Sequence, residues 1–280
     1  MIPSLSNTLT VDGVSRCARY SFGPNRLHLC GPDANREVLA YLTAHESDDG
    51  LSYLLKKFKT LYPYLETIAH ANKIKDPFDA RVVEAYWLGN ELLDSIDVST
   101  FYRHLTDSLH LKKRLKPPDF KLLTDKLSAF IRVTIRDYPR RLGARMHHNF
   151  HVFNVWQRTG HAEKEHTLES MDKCRVSWGT VTLIDGPFIT VMRQPLTFAN
   201  GHPRLDLGSK IQKNSNDCLA LGSPVSYRIT RRLDDNSFME DVKAGDTISI
   251  HWDMPCEILT PRELNNLKYY TRLALSCMTI

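Results

Sequence analysis

The chain has 280 residues, of which 42% are hydrophobic and 25% charged, and its formal net charge is +5. A chain of this length can bury a substantial core and is expected to form two domains. Charges of both signs are interspersed without a block of Lys and Arg, which argues against a nucleic-acid-binding protein. No apolar run is long enough to span a membrane and the first residues lack a secretory signal pattern. We therefore expect a cytoplasmic protein whose partners include neither nucleic acid nor membrane.

The cysteines are widely spaced, and no two of them form a Cys-x-x-Cys pair. This spacing indicates neither a zinc knuckle nor a disulfide framework. It favours reduced thiols, as in the cytosol. The six positions are Cys17, Cys30, Cys174, Cys218, Cys256 and Cys277.

Residues 17–32 contain two Gly-Pro pairs and predict an ordered loop. One interpretation is an N-terminal arm that simply packs over a helical domain. The alternative is a lid or wall of a functional site, with Arg26, His28 and Cys30 as candidate residues.

A helical period from Asp33 to Arg136 predicts a bundle of about five helices. Asp76 is expected to cap one of them, because Pro77 follows it at the first helical position. Glu84 falls inside this helix. It is either a structural ion-pair partner of Arg81 or a carboxylate metal ligand or acid-base group.

Five histidines lie between residues 147 and 166. A separation of four places His147 and His151 on the same side of a helix or a strand. They are either ordinary hydrogen-bonded histidines at a domain junction or half of a metal site, completed by His161, by His166 or by a carboxylate such as Glu84. His148 is a further candidate.

The last part of the chain changes to the alternating period of β-strands. Residues 180–184 and 188–192 alternate on either side of Asp185-Gly186, which predicts a hairpin, and Thr260 with Glu263 forms a capping box before a final helix. The pattern predicts a mainly helical domain over residues 1–166 and a β domain with a terminal helix over residues 167–280.

The order of short motifs in this second part resembles the HypC/HupF family of hydrogenase-maturation chaperones. The motifs are Cys174, Gly179-Thr-Val181, Ile184-Asp-Gly186, Val242-Lys-Ala-Gly245-Asp246, a strand ending at His251, and the helix that contains Glu263. The resemblance covers residues 174–275. The whole chain also looks like an uncharacterised bacterial family that joins a helical half to a HypC-like half.

The resemblance implies an α+β fold in which a helical bundle precedes a small antiparallel β-barrel with a C-terminal helix. It implies that Cys174 and His251 are the functional residues, that they meet at one end of the barrel, and that they hold an iron centre with diatomic ligands. The implied partner is the large subunit of a nickel-iron hydrogenase or another maturation protein.

The resemblance thus implies a non-catalytic carrier of a metal centre. Two other functions stay open beside it. One is a metal-dependent enzyme that uses His147, His151 and a carboxylate at the domain interface. The other is a protein-interaction module. A cysteine at the head of a strand can also be a plain packing residue.

Overall fold

Helices occupy the first part of the chain and an antiparallel sheet occupies most of the rest. The computed structural model describes residues 12–128, 143–156, 159–160, 167–198, 219–233, 236–237 and 239–279. Outside these ranges lie the predicted helix end at Arg136, the candidate ligands His161 and His166, and Cys218. No helix within them is both long enough and apolar enough to cross a bilayer.

The helices of the described part are mostly short. Two π-helical turns, His104–Ser108 and His151–Val155, and two 3-10 segments, Glu91–Leu93 and Cys277–Thr279, accompany them. The α-helices are α1 (Gly13–Arg26), α2 (Asn35–Ala44), α3 (Asp49–Lys56), α4 (Leu61–Ala71), α5 (Ala80–Trp87), α6 (Val98–Arg103), α7 (Leu111–Arg114), α8 (Pro117–Ser128), α9 (His148–Phe150), α10 (Leu168–Cys174) and α11 (Pro261–Ser276).

The prediction of a loop over residues 17–32 is wrong for most of that segment, because α1 runs to Arg26. Asp12 caps this helix by accepting a hydrogen bond from the Ser15 amide at 2.8 Å. Gly23 and Pro24 lie within its last turn instead of ending it. Nearly the whole helix is buried, and tertiary packing of this kind outweighs the low helix propensity of both residues.

The start of α5 also differs from the prediction. Asp79 caps the helix through the Arg81 amide at 2.9 Å, whereas Asp76 accepts from the Phe78 amide in the preceding turn. An aspartate can stabilise either a turn or a helix end in this way. The predicted capping box of α11 is confirmed, since Thr260 and Glu263 each bond the other's backbone amide.

The strands are β1 (Ser177–Asp185), β2 (Phe188–Arg193), β3 (Leu196–Phe198), β4 (Leu219–Leu221), β5 (Val225–Thr230), β6 (Arg232–Leu233), β7 (Asn236–Ser237), β8 (Thr247–His251) and β9 (Met254–Ile258). The main sheet has the order β5-β2-β1-β8-β9, and all its pairs are antiparallel. The predicted hairpin is β1–β2, with Asp185 opposite Phe188.

The five-stranded sheet is open, so the predicted barrel is wrong. Pro255 gives a physical reason, because it lies within β9 opposite Ile250 and has no amide to donate. Proline is tolerated in an edge strand and not in a central one. β9 is therefore an edge, and α1 packs beside it.

The main hydrophobic core contains residues from both halves of the chain. It joins α1, α4 and α5 to α11, to the turn after β8 and to β9 around buried residues such as Tyr20, Trp87, Trp252 and Leu267. A smaller core lies on the sheet around Val191. The division of the chain at residue 166 stays a prediction.

Candidate metal centre

Three buried side chains bring potential metal ligands together. The ligand atoms of His148, Cys174 and His251 all lie within 4.8 Å of one another. Cys174 and His251 thus lie together as expected, but beside an open sheet instead of at the end of a barrel, and Cys174 ends α10 instead of beginning a strand. Two imidazoles and a thiol form a donor set that suits zinc, copper or iron.

Strand pairing explains why two residues 77 positions apart in sequence meet. Ser177 of β1 pairs with Ile250 of β8, so the residues just before β1 and those at the end of β8 share one end of the sheet. The Trp252 amide also donates to the Lys173 carbonyl at 2.8 Å. This bond joins the neighbours of Cys174 and His251 directly.

The turn after His251 fixes where β8 ends. His251 pairs with Met254, and the two residues between them have left-handed backbones, with φ of 51° at Trp252 and 61° at Asp253. Two such residues form the hairpin turn that matches strand twist, but a bulky Trp rarely adopts this conformation. Two hydrogen bonds hold the turn, one from the Trp252 amide to the Lys173 carbonyl and one from the Tyr227 hydroxyl to Asp253.

His251 is held in one tautomer by α1. Its Nδ1 donates to the Tyr20 carbonyl at 2.6 Å, so the ring carries its lone pair on Nε2. In a regular helix the Tyr20 carbonyl would accept from the amide of residue 24, but Pro24 has no N–H. Histidines that bind metals commonly donate their other nitrogen to a backbone carbonyl in this way.

Gly23 allows α1 to approach His251 closely. A Cβ atom on Gly23 would lie 2.8 Å from the His251 carbonyl oxygen and 3.1 Å from the Cβ of Trp252. The Gly-Pro pair that predicted a loop therefore serves the contact between a helix and a metal-ligand candidate.

Asn149 brings His148 to the same place. Its side chain accepts from the Val176 amide at 2.8 Å and donates to the Val176 carbonyl at 2.9 Å, so it binds the backbone like a neighbouring strand. The same amide group donates to the Thr271 hydroxyl of α11 at 2.7 Å. No pattern in the sequence indicated this role for Asn149.

His148 has a protein partner on each ring nitrogen. Nε2 donates to the Cys174 carbonyl at 2.9 Å, and Nδ1 accepts from the Tyr86 hydroxyl at 3.2 Å. Burial, and then the nearby His251 and His151, lower the pKa of His148 well below its usual value, so the ring is neutral. A metal would take the Nδ1 lone pair, which requires the Tyr86 hydroxyl to turn aside.

A cavity of about 40 Å³ adjoins the three ligands. That volume exceeds the roughly 10–15 Å³ that one water needs. Its wall is mainly apolar and aromatic and includes no Asp, Glu, Lys or Arg side chain among the described residues. The lining residues are Ser21, Pro24, Cys30, Phe58, Thr60, Leu61, Tyr86, Trp87, His148, His151, Val152, Trp156, Thr159, Cys174 and His251.

The predicted pair His147 and His151 does not share one environment. His151 lines the cavity, and its Nδ1 lies 3.3 Å from the Tyr64 hydroxyl. His147 instead precedes α9, accepts from the Asn149 amide at 3.1 Å and stacks on Tyr270. The helical period fails here because α9 begins at His148 and a π-helical turn begins at His151.

Glu84 takes part in ion pairs away from the cavity lining. Its carboxylate accepts from Arg262 at 2.7 Å and from Arg16 at 3.2 Å. The expected partner, Arg81, instead pairs with Asp79 at 2.9 Å. The structural interpretation of Glu84 fits these contacts, with different arginines.

The three candidates near the end of α1 separate in the structure. Cys30 lines the cavity, whereas His28 lies 3.2 Å from the carboxylate of Asp33. Arg26 is the last residue of α1 and does not line the cavity.

Comparison with known proteins gives one result. A family model described as a family of unknown function, DUF6390, matches residues 9–279. The chain belongs to the DUF6390 family. No curated protein and no solved structure matches it. The three ligand candidates lie within the part of the chain that the family model covers.

Proposed function

We propose that this protein is a non-catalytic accessory protein of metalloenzyme assembly, which holds a metal at His148, Cys174 and His251 and passes it to a partner. The metal most consistent with the HypC-like motif order is iron. The partner would then be the large subunit of a nickel-iron hydrogenase or another maturation protein in the cytoplasm.

The observation that carries this proposal is the convergence of Cys174 and His251. The motif order predicts these two residues as the functional pair, and their ligand atoms lie within 4.8 Å of each other in a buried cluster. A thiolate and a neutral imidazole are suitable ligands for a first-row transition metal, and a bound iron would supply a centre for delivery. His148 adds a third ligand that the motif order does not include.

The surroundings also suit storage of a metal. The cavity wall beside the ligands includes Phe58, Leu61, Val152 and Trp156, apolar side chains that would limit the access of water to a bound ion. The Tyr20 carbonyl holds the His251 ring, and the Cys174 carbonyl holds the His148 ring. These bonds would keep both imidazoles oriented during uptake and release.

The test is metal analysis of the full-length protein purified anaerobically from its native host. The wild type should retain iron, and Cys174→Ala and His251→Ala should each lose most of it. Cys277→Ala is the matched control, because Cys277 is a buried cysteine of the core outside the cavity lining. Iron in this control but not in the two site variants would support the proposal. Equal iron content in all four proteins would contradict it.

The cavity beside the ligands favours a second candidate, a metal-dependent enzyme with a small substrate. His151 and Tyr64 are hydrogen-bonded next to this space and could move a proton. Metal retained after loss of Cys174 would favour the enzyme. A stable partner with no bound metal would instead favour an interaction module.

A further inference from the structure

Cys30 is the one half-buried thiol among the cysteines of the described ranges. The others, Cys17, Cys174, Cys256 and Cys277, are buried. Cys30 lies in the segment between α1 and α2 and lines the same cavity as Cys174. Two thiols and two ligand histidines therefore surround one small space.

Charge balance at a bound cation favours a second thiolate ligand in the cavity. A divalent cation bound by the Cys174 thiolate and two neutral imidazoles would leave a net charge of about +1, by simple counting of ligand charges. An uncompensated buried charge is strongly unfavourable even after the protein relaxes. The described lining contains no carboxylate, and Tyr86 is a neutral phenol that donates to His148. A second thiolate would make the site neutral.

Cys30 lies in the wall of the cavity that the other ligands line. Tyr86, whose hydroxyl contacts His148, lines the same cavity as the Cys30 and Cys174 thiols. The Asn25 side chain holds the local backbone by donating to the carbonyls of Cys30 at 2.9 Å and Pro32 at 2.7 Å.

The Cys30 sulfur is outside the group whose ligand atoms all lie within 4.8 Å. Rotation about its χ1 angle can move this sulfur between staggered positions while the backbone stays in place. Cys30, Trp156 and Thr159 are the half-buried members of the lining, whereas the three clustered ligands are buried. An ion arriving from solvent would therefore meet Cys30 on the outer side.

We propose that Cys30 is the fourth ligand of a tetrahedral site for a divalent cation, completing a set of two thiolates and two imidazoles with Cys174, His148 and His251. Such a set is typical of zinc and of iron bound by sulfur. Each thiol that binds the cation gives its proton to solvent, so the metal's two charges replace two protons. The inference rests on the proposed function, because it assumes that His148, Cys174 and His251 hold a metal.

The experiment is an anaerobic titration of the full-length protein with Co²⁺, which reports thiolate ligands by a near-ultraviolet charge-transfer band. The wild type should bind one ion, release about two protons per ion at neutral pH and show the band of two thiolates. Cys30→Ala and Cys30→Ser should each release about one proton, lose about half of the band and bind at least about tenfold more weakly. Cys277→Ala should match the wild type.

Two other outcomes would overturn the inference and differ in what they imply. If both Cys30 variants match the wild type in proton release and band intensity while Cys174→Ala loses cobalt, only the fourth ligand is wrong. If the wild type binds no Co²⁺, the fourth ligand and the metal-carrier function both fail. Thermal midpoints that agree between the Cys30 variants and the wild type would show that the variants are folded.

Discussion

Several histidines are buried so deeply that the folded protein holds them neutral. Burial lowers the pKa of His104 to about 3, and the nearby His151 adds to the effect. Burial likewise lowers the pKa of His147 to about 3, although the nearby backbone groups of Leu88 and Trp87 oppose the shift. In an unfolded chain these rings would titrate near 6.5.

This difference predicts that acid destabilises the fold between pH 7 and pH 5. Because the folded-state pKa is depressed, the unfolded chain binds more protons below 6.5, so the stabilisation present above that value is lost as pH falls towards 3. Each such histidine should cost about 2 kcal/mol of unfolding free energy at pH 5.

Urea midpoints measured across this pH range check the prediction. His104→Asn should reduce the pH dependence of the urea midpoint by the contribution of one buried histidine. His110→Asn is the matched control, because His110 is exposed and has a left-handed backbone that Asn also tolerates. A pH dependence that is equally steep in all three proteins would show that the buried rings do not cause it.

The cavity also predicts an order of cysteine reactivity. Burial raises the pKa of both Cys17 and Cys277 to about 12, so neither forms much thiolate at pH 8. Cys174 lines a cavity beside an imidazole that can accept its proton. A small neutral reagent such as methyl methanethiosulfonate should therefore modify Cys174 at least about tenfold faster than Cys17 or Cys277.

Mass spectrometry of timed samples locates the modified cysteine. His251→Ala should slow the labelling of Cys174 and leave that of Cys277 unchanged. Equal rates at Cys174 and Cys277, with no effect of the His251 substitution, would show that Cys174 is a packing residue.

At the scale of elements, α1 is adapted to β8 by two neighbouring residues. Pro24 leaves the Tyr20 carbonyl without its intrahelical donor, and this carbonyl accepts from His251. Gly23 lets the two backbones approach. The same two residues reduce helix propensity, so the helix gives up some local stability to position a metal-ligand candidate.

Pro24→Ala should therefore weaken metal binding without lowering the stability of the fold. Alanine restores an amide that competes with His251 for the Tyr20 carbonyl and favours the helix by up to about 3 kcal/mol over proline. We expect an unchanged or higher thermal midpoint together with weaker metal affinity, measured by Co²⁺ titration. A residue with only a structural role would move both quantities in the same direction, and such a result would contradict the positioning role of Pro24.

Local signals predicted some of these elements and not others. The capping box of Thr260 and Glu263 and the β1–β2 hairpin were visible because their residues are close in sequence. The helix over residues 17–26 was missed because Gly23 and Pro24 are explained by a contact with His251, which is more than 200 positions away. Tertiary packing overrides propensity in such cases.

At the scale of the whole molecule, Arg16 joins the two parts of the chain. Its buried guanidinium contacts Glu84 of α5 at 3.2 Å, Glu257 of β9 at 2.9 Å and Glu263 of α11. Glu257 also accepts from the Tyr20 hydroxyl at 2.6 Å. The network therefore fixes α1 against the sheet edge on the same helix that orients His251.

Loss of Arg16 should destabilise the fold, because its buried carboxylate partners lose their shared cation. Arg16→Met should lower the free energy of unfolding by about 3–5 kcal/mol, since it leaves three acidic groups without their shared cation. Arg16→Lys should recover little of this loss, because an ammonium cannot reproduce the fork geometry of the guanidinium. Urea denaturation measures the effect.

The control for this experiment is Arg81→Met. Arg81 is an exposed arginine that pairs with Asp79, so its loss should leave the urea midpoint unchanged. A change in Arg16→Met no larger than in Arg81→Met would show that the Arg16 network does not hold the two parts together.

The candidate site was only partly predictable at this scale. Motif order indicated Cys174 and His251, and the cluster of histidines indicated His148, but no spacing rule joins these residues to Pro24, Tyr86 or Asn149. Those partners come from α1, α5 and α9, and their meeting depends on packing between elements. The prediction that His147 and His151 lie on the same side was wrong because a helix begins between them.

The most direct test of the metal site is a crystal structure of the anaerobically loaded protein with anomalous diffraction measured at the metal edge. The proposed site predicts one anomalous peak about 2.0–2.1 Å from Nε2 of His251 and Nδ1 of His148 and about 2.3 Å from Sγ of Cys174. The Nδ1 of His251 should still donate to the Tyr20 carbonyl. A peak bound elsewhere, or no peak beside these three residues in metal-loaded protein, would contradict a metal site at His148, Cys174 and His251.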